Sequence, residues 1–315
     1  MILPPELDRI VRDLDALGLR ALVAGGAVRD YLLGLAPKDF DVEVYGASFD
    51  VLAELLAPYG RIDLVGQSFG VVKLTVAGGH TYDFSLPRRD SKVGRAHRYF
   101  LATFDPEITP REAASRRDFT INAMAYDPVA NKLLDFFGGR DDLENRVLRA
   151  TSEAFREDPL RVLRGMQFAC RFNLTIDPAT AAECRAIVDE YSTIAQERVA
   201  EEFMKWAIKS AHPGRLAGYL VTTGWIVHFP EINNLLSVPQ DPEWHPEGEV
   251  GIHTMLVVDA AAEIAERDLL KDDERAVLMF AALTHDFAKA GTTALRERNG
   301  VLRWTAHGHE AAGGP

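Results

Sequence analysis

The chain has 315 residues, 47% of them hydrophobic, enough for two or three domains with cores of their own. No apolar run approaches the roughly 20 residues of a membrane span, and the opening Met-Ile-Leu-Pro-Pro-Glu has neither the basic nor the apolar region of a signal peptide. A net charge of −12 excludes polyanion binding by the surface as a whole, and Cys170 and Cys184 make neither a disulfide framework nor a zinc pattern, so a cytoplasmic location is expected, with no obligate protein partner.

Apolar positions at Leu7, Ile10, Val11, Leu14 and Leu17 predict a helix. Ala21 to Ala24 reads as a short buried strand ending at Gly25-Gly26, and Val28 to Leu33 as a helix stopped near Gly34. From Asp39 to Tyr45 the pattern alternates, with Phe40, Val42 and Val44 facing one way and Asp41 and Glu43 the other. Val51 to Leu56 reads as a helix; Val71 to Val76, Tyr82 to Leu86, Lys132 to Phe136 and Val147-Leu148 read as strands. Beyond Thr151 helices take over: Asp158 to Phe172, then one opened by Asp177-Pro178 and running through Ile187, then Val199 to Ser210 and Pro213 to Thr222. The polar stretch Ser237 to Glu249 reads as a linker, followed by helices from Ile252 to Ala265 and Asp273 to Thr284.

Gly25-Gly26-Ala27-Val28-Arg29-Asp30 follows a strand and opens a helix. Two glycines there permit positive φ and close backbone approach, so their N–H groups are expected to nest a phosphate. Arg29 is placed to reach a phosphate or nearby carboxylates, and Asp30 to orient Arg29. Asp39 and Asp41 are two apart, which on a strand points both carboxylates to one face. Such a pair can bridge two magnesium ions about 3.5–4 Å apart, with a third carboxylate from an adjacent strand, for which Asp83 is the candidate. An isolated Asp-x-Asp reads as an exposed strand edge; the glycine pair just upstream is what points to nucleotidyl transfer from a triphosphate. Basic residues cluster at Arg88, Arg89, Lys92, Arg95 and Arg98, then at Arg116 and Arg117, then at Arg161, Arg164 and Arg171, where phosphate contacts are expected.

With Lys38-Asp39-Phe40-Asp41, the glycine motif resembles the head of the class II tRNA nucleotidyltransferase (CCA-adding) and bacterial poly(A) polymerase family, which belongs to the polymerase-β-like nucleotidyltransferases. Two further segments match it in order. Arg116-Arg117-Asp118-Phe119-Thr120-Ile121-Asn122-Ala123 resembles the family's ribose- and phosphate-contacting motif, and Glu157-Asp158-Pro159-Leu160-Arg161-Val162-Leu163-Arg164 its base-selecting motif. The resemblance implies an α+β chain: a mixed-sheet head over 1–150, a helical neck and body over 151–236, and the start of a further domain after 237.

It also implies catalytic Asp39, Asp41 and Asp83 holding magnesium, with nucleotide binding by Gly25, Gly26, Arg29, Arg117, Asp118, Asn122, Asp158, Arg161 and Arg164. Arg117 is expected at the triphosphate, with Asp118 and Asn122 at the ribose. On a helix Asp158 and Arg161 share a face, and Glu157 is spaced to hold Arg161. A carboxylate beside a guanidinium suits C and A, which each present an amine next to a ring-nitrogen acceptor, and rejects U and G, which present the reverse. The segment Val93 to Ser115 resembles the family's flexible loop, implicated in switching between CTP and ATP.

The last third carries a second pattern. Gly251-Ile252-His253-Thr254 precedes Leu283-Thr284-His285-Asp286 on the next helix, and two His with one Asp can hold a metal such as nickel or manganese. The pattern resembles the HD phosphohydrolase superfamily, and His307-Gly308-His309-Glu310 resembles a further element of it. A further Asp expected downstream does not occur before Pro315, so 237–315 reads as the N-terminal part of an all-α HD domain, truncated.

The leading expectation is an enzyme that adds C, C and A to the tRNA 3′ end from CTP and ATP. Its rivals are an A-adding or CC-adding specialist or a poly(A) polymerase. From other classes come an HD phosphohydrolase whose head only binds and a non-catalytic RNA-binding module.

Overall fold

The computed structural model describes residues 1–64, 70–92, 100–104 and 108–313; the side chains of 88–92 and 100–104 are outside the description. Arg95, Arg98 and much of the expected switching loop lie outside the described residues. The chain divides into two compact units, Met1–Asp158 and Pro159–Pro315.

The first unit opens with helix α1 (Pro5–Ala16), strand β1 (Arg20–Ala24), helix α2 (Gly26–Leu32), strand β2 (Asp41–Tyr45) and helix α3 (Phe49–Leu56). Strands β3 (Gly60–Asp63), β4 (Val71–Val76) and β5 (Thr81–Ser85) follow, then a separate hairpin of β6 (Arg88–Lys92) and β7 (Phe100–Phe104). Helix α4 (Pro110–Ser115), strands β8 (Ala125–Asp127) and β9 (Lys132–Leu134), and helix α5 (Gly139–Glu144) come last.

Seven strands make one sheet in the order β3-β4-β5-β2-β1-β8-β9. Its pairs are antiparallel except β2 with β5, which run parallel. Alternation decides the two faces. Val42, Val44, Val23, Phe84, Val72 and Leu74 are fully buried on one side, and α1 packs Leu7, Ile10, Val11 and Leu14 into the core beside β1. The other side carries Asp41 and Glu43, with Leu22, Ala24, Tyr45, Ala125 and Leu134 packed beside Ile108 and Ala113. Helix α4 is closed by a capping box in which Thr109 Oγ1 accepts from Glu112 N–H and Glu112 accepts from Thr109 N–H.

The second unit is largely helical: α6 (Leu160–Phe172), α7 (Pro178–Ala186), α8 (Gln196–Lys209), α9 (Arg215–Thr223), α10 (Pro230–Asn233), α11 (Val250–Arg267) and α12 (Asp272–Thr284). Asp177 caps α7 by accepting from Thr180 N–H, as the Asp-Pro pair predicts. Trp206 is fully buried, its indole N–H donating to the Pro213 carbonyl. The expectation of an all-α stretch after 237 meets one difference: Ala294–Arg298 and Val301–Thr305 form an antiparallel hairpin. Its turn is Asn299-Gly300, both at positive φ, a pair favoured in two-residue hairpin turns.

Cys170 and Cys184 are buried and free, and burial pushes both thiols up, Cys184 to about 12. Neither is expected to react with iodoacetamide in the native protein at neutral pH, whereas both react in denaturant; mass spectrometry of labelled peptides reads the difference, and rapid native labelling would contradict the fold around α6 and α7.

Candidate active site and a second histidine cluster

The parallel pairing of β2 with β5 sets Asp41 directly beside Asp83, and the next position in the same row, on β4, is Lys73. Asp41 opens β2, and Asp39 stands two residues ahead of the strand, exposed. The Asp41 carboxyl is held above its ordinary pKa: lost hydration is the largest cause, Arg117 opposes it, and Asp83, Asp39 and Glu43 add to it. Lys73 Nζ donates to Asp83 Oδ2 at 3.2 Å.

Glu43, on the same face of β2 as Asp41, grips the arginine of the downstream motif: Arg117 Nη2 donates to Glu43 Oε1 at 2.5 Å. Tyr45 Oη donates to Glu43 Oε2 at 2.8 Å. Burial lowers the Arg117 pKa, but Glu43, Asp41 and Asp118 more than reverse this, so the guanidinium keeps its charge. Glu43 had no expected role. Its signal was its parity with Asp41, two positions earlier on one strand.

Gly25 has φ +73°, and a Cβ there would lie 2.4 Å from Arg117 Nη1. The left-handed conformation is what requires the glycine, and a Cβ there would in addition push the tip of Arg117 aside. Its N–H donates to the Met124 carbonyl at 3.0 Å, so it is not offered to a ligand as the phosphate-nest reading expected. Arg29 is 5% exposed; it donates from Nε to Asp30 Oδ1 at 2.9 Å and from Nη1 to Asn122 Oδ1 at 2.6 Å. Asn122 Nδ2 donates to Asp118 Oδ1 at 3.0 Å, and that oxygen also accepts from Phe119 N–H. Arg29, Asn122 and Asp118 are thus one buried chain of hydrogen bonds, with Asp30 orienting Arg29 as its adjacency predicts.

The base-selecting motif needs a correction. Asp158 is not on the helix: its backbone is extended, with φ −127° and ψ 102°, and α6 begins at Leu160 after Pro159. Proline disfavours helix in the residue before it, so the helical spacing of Asp158 and Arg161 does not apply. Arg161, Arg164 and Arg171 do share one stripe of α6, half-buried, with the Arg164 guanidinium over the Phe168 ring at 5.6 Å. Glu157, expected to hold Arg161, accepts from Arg116 Nη2 at 2.7 Å.

In the second unit His253 of α11 and His285 and Asp286 after α12 come together. His285 Nε2 lies 3.1 Å and His253 Nε2 3.9 Å from Asp286 Oδ2, and His309 Nε2 lies 3.5 Å from Oδ1. Asp286 is 2% exposed; desolvation alone would raise its pKa, but His285 and Lys289 hold it well below the carboxylate range. Lys289 Nζ also approaches Oδ2, at 2.8 Å, yet no donor is aligned for a hydrogen bond to that buried oxygen. Beside it Glu247 Oε1 lies 2.8 Å from His253 Nδ1 and 2.9 Å from His245 Nδ1, and the hydrogen bond to His245 leads in lowering its pKa to about 2. A cavity of about 290 Å³ opens next to the cluster, lined by Trp244, His245, Lys289, Trp304, His307 and His309 among others.

Among the described residues, three-ligand sets whose atoms all lie within 4.8 Å of one another occur at His245–Glu247–His253 and His253–His285–Asp286. Asp39, Asp41 and Asp83 do not converge that far.

Residues 21–149 match the family model of the poly A polymerase head domain, and residues 173–236 that described as the "Probable RNA and SrmB- binding site of polymerase A". The Multifunctional CCA protein of Aromatoleum aromaticum is 41% identical over 278 residues, covering 87% of this chain and 64% of its own length. That of Nitrosospira multiformis is 38% identical over 297 residues, covering 93% and 66%. The chain thus spans just under two thirds of the length of these relatives. Among solved structures, the Thermotoga maritima CCA-adding enzyme complexed with tRNA has a TM-score of 0.64 at 21% identity, over 90% of this chain and 63% of that one. The Bacillus stearothermophilus CCA-adding enzyme in complex with CTP has a TM-score of 0.63 at 23% identity, over 90% and 79%. Those two likenesses speak for the fold; the family models and the curated relatives show that the chain is similar to poly A polymerase head-domain proteins over residues 21–149 and to their RNA-binding segment over residues 173–236.

Proposed function

We propose that this chain adds C, C and A to the 3′ end of tRNA from CTP and ATP without a template. The observation that carries the reading is the register row that sets Asp41 beside Asp83, with Asp39 just ahead of it and Arg117 clamped at its side. The names of the relatives, and neighbours solved with CTP and with tRNA, support these substrates. No helix among the described residues is long and apolar enough to cross a membrane.

The carboxylates fit magnesium. They are hard oxygen donors, and a cation would relieve both the lost hydration that chiefly raises the Asp41 pKa and the crowding by Asp83, Asp39 and Glu43 that adds to it. Held by Asp39, Asp41 and Asp83, divalent cations would supply activation of the attacking hydroxyl and neutralisation of the pyrophosphate charge. That the three carboxylates stand apart accords with a site completed by substrate phosphates.

The remaining work falls to the chain's own side chains. Arg117, held by Glu43 through Nη2 and by the Asn122 carbonyl through Nη1, is the guanidinium proposed to meet the triphosphate with its remaining donors. The buried Arg29–Asn122–Asp118 chain fixes the floor on which the ribose rests. Asp158, ahead of α6, and Arg161, in its first turn, are the residues proposed to read the base by their chemistry: an acceptor and a donor fork complement C and A and leave unpaired groups against U and G. Arg164, whose guanidinium lies over the Phe168 ring, is a further candidate for a phosphate contact by its charge.

The second unit supports a second reaction, hydrolysis of phosphate esters at His253, His285 and Asp286. Asp286 Oδ2, buried without an aligned donor between two imidazoles, fits a nickel or manganese ion, with Lys289 as the resident charge. Held by His253, His285 and Asp286, such an ion would supply a nucleophilic water at neutral pH. His285 Nε2, 3.1 Å from Asp286 Oδ2, sets the side of the carboxylate on which the ion would sit.

Offered tRNA lacking its last three nucleotides, all four nucleoside triphosphates and magnesium, the protein is expected to give products ending in CCA. A lone A on tRNA already ending in CC marks a specialist, and long A tails mark a poly(A) polymerase. Asp41→Ala is expected to abolish incorporation, and wild-type behaviour in that variant would sink the transferase reading. Gly25→Ala, which drives a Cβ into Arg117, is expected to lower kcat/KM by about a hundredfold with circular dichroism unchanged. Glu43→Gln should lower it by about tenfold, chiefly through a higher KM for the triphosphate, since the clamp on Arg117 weakens. Manganese- or nickel-dependent hydrolysis of bis-p-nitrophenyl phosphate should vanish in His285→Ala; its survival there would remove the second reaction from this cluster.

A further inference from the structure

Lys73 stands in the carboxylate row without a part in the reaction as described. It is a register partner of Asp83 on one side and of Asp63 on the other, so the row reads Asp63, Lys73, Asp83, Asp41 across four adjacent strands. Side chains in register on neighbouring strands share a face and lie about 4.5–5.5 Å apart at Cβ. The ammonium reaches the carboxylate: Nζ to Asp83 Oδ2 is 3.2 Å. The Lys73 side chain is 48% exposed and that of Asp83 35%, so the pair is wet on one side and can part at little cost.

A carboxylate oxygen that accepts from an ammonium is not free for a metal. The same charge that steadies Asp83 beside Asp41 opposes a divalent cation arriving at that oxygen. It also accounts for the spacing: the third carboxylate is turned to Lys73, and the three do not converge into a preformed cage.

We infer that Lys73 is the resident counter-ion of the divalent site, holding Asp83 in place when the site lacks metal and competing with the divalent cation for Asp83 Oδ2. The inference rests on the reading of Asp39, Asp41 and Asp83 as that site. On this account Lys73 sets the free divalent concentration at which the site fills, and its ammonium turns to solvent or phosphate once displaced. It is a positioning residue, not a catalytic one.

The test is manganese binding by electron paramagnetic resonance on the full chain, without nucleotide. All proteins carry His253→Ala, which removes the histidine shared by both three-ligand sets of the second unit. Lys73→Met and Lys73→Gln are expected to bind Mn²⁺ roughly five- to tenfold more tightly than the parent, and Lys73→Arg to stay close to it. In an Asp83→Asn background, Lys73→Met is expected to change nothing further. Unaltered or weaker binding in Lys73→Met and Lys73→Gln, where Asp41→Ala abolishes binding, overturns this inference alone. So does a Lys73→Met gain that persists with Asp83→Asn, because the competition then does not pass through that carboxylate. Binding that is indifferent to Asp41→Ala overturns the divalent-site reading beneath it.

Discussion

The parallel pairing of β2 with β5, in a sheet whose other pairs are antiparallel, is the constraint from which the first unit's chemistry follows. Two strands joined by a hairpin cannot pair this way; the chain must leave β2, cross through α3 and return by β3 and β4 before β5 can lie beside it. That detour places Asp83 next to Asp41 although forty-odd positions separate them. A one-residue slip would turn one of the two carboxylates to the opposite face, into the fully buried layer of Val42, Phe84 and Leu74. The apolar alternation of both strands forbids that slip, so the same hydrophobic pattern that builds the core also holds the acidic row in register.

Two carboxylates side by side repel, and the surroundings answer with positive charge. Arg117 comes from the segment after α4 and is pinned by Glu43; Lys73 comes from the next strand of the row. The conformation of Gly25 makes room for Arg117. Arg29, Asn122 and Asp118 satisfy one another, so their burial leaves no orphaned charge beneath the site. The second unit repeats the theme with a different result: around Asp286 three imidazoles and an ammonium gather within reach, yet one oxygen keeps no aligned donor.

Much of the fold was legible because apolar periodicity states it directly. The helix through Leu7 and Leu14, the strands about Val23, Val42, Leu74 and Phe84, and the helix capped by Asp177 lie where their patterns put them. The hairpin at 294–305 was signalled by Asn299-Gly300, but its strands are short and largely exposed, so the alternation that marks a half-buried strand is faint. Asp158 misled because its spacing to Arg161 is helical, while Pro159 holds the backbone before it extended.

By itself the sequence determined the kinds of group present and their local spacing: glycines at a strand end, two aspartates two apart, an Arg-Arg-Asp segment, and paired histidine motifs. These are decided within a few residues, where backbone sterics and side-chain periodicity act. What only the tertiary structure decided is which distant groups face one another. Glu43 takes Arg117, Lys73 takes Asp83, Glu157 takes Arg116, and Gly25 yields space to Arg117. No short-range rule reports such pairings, because they depend on strand order and on the crossover that carries β5 back to β2.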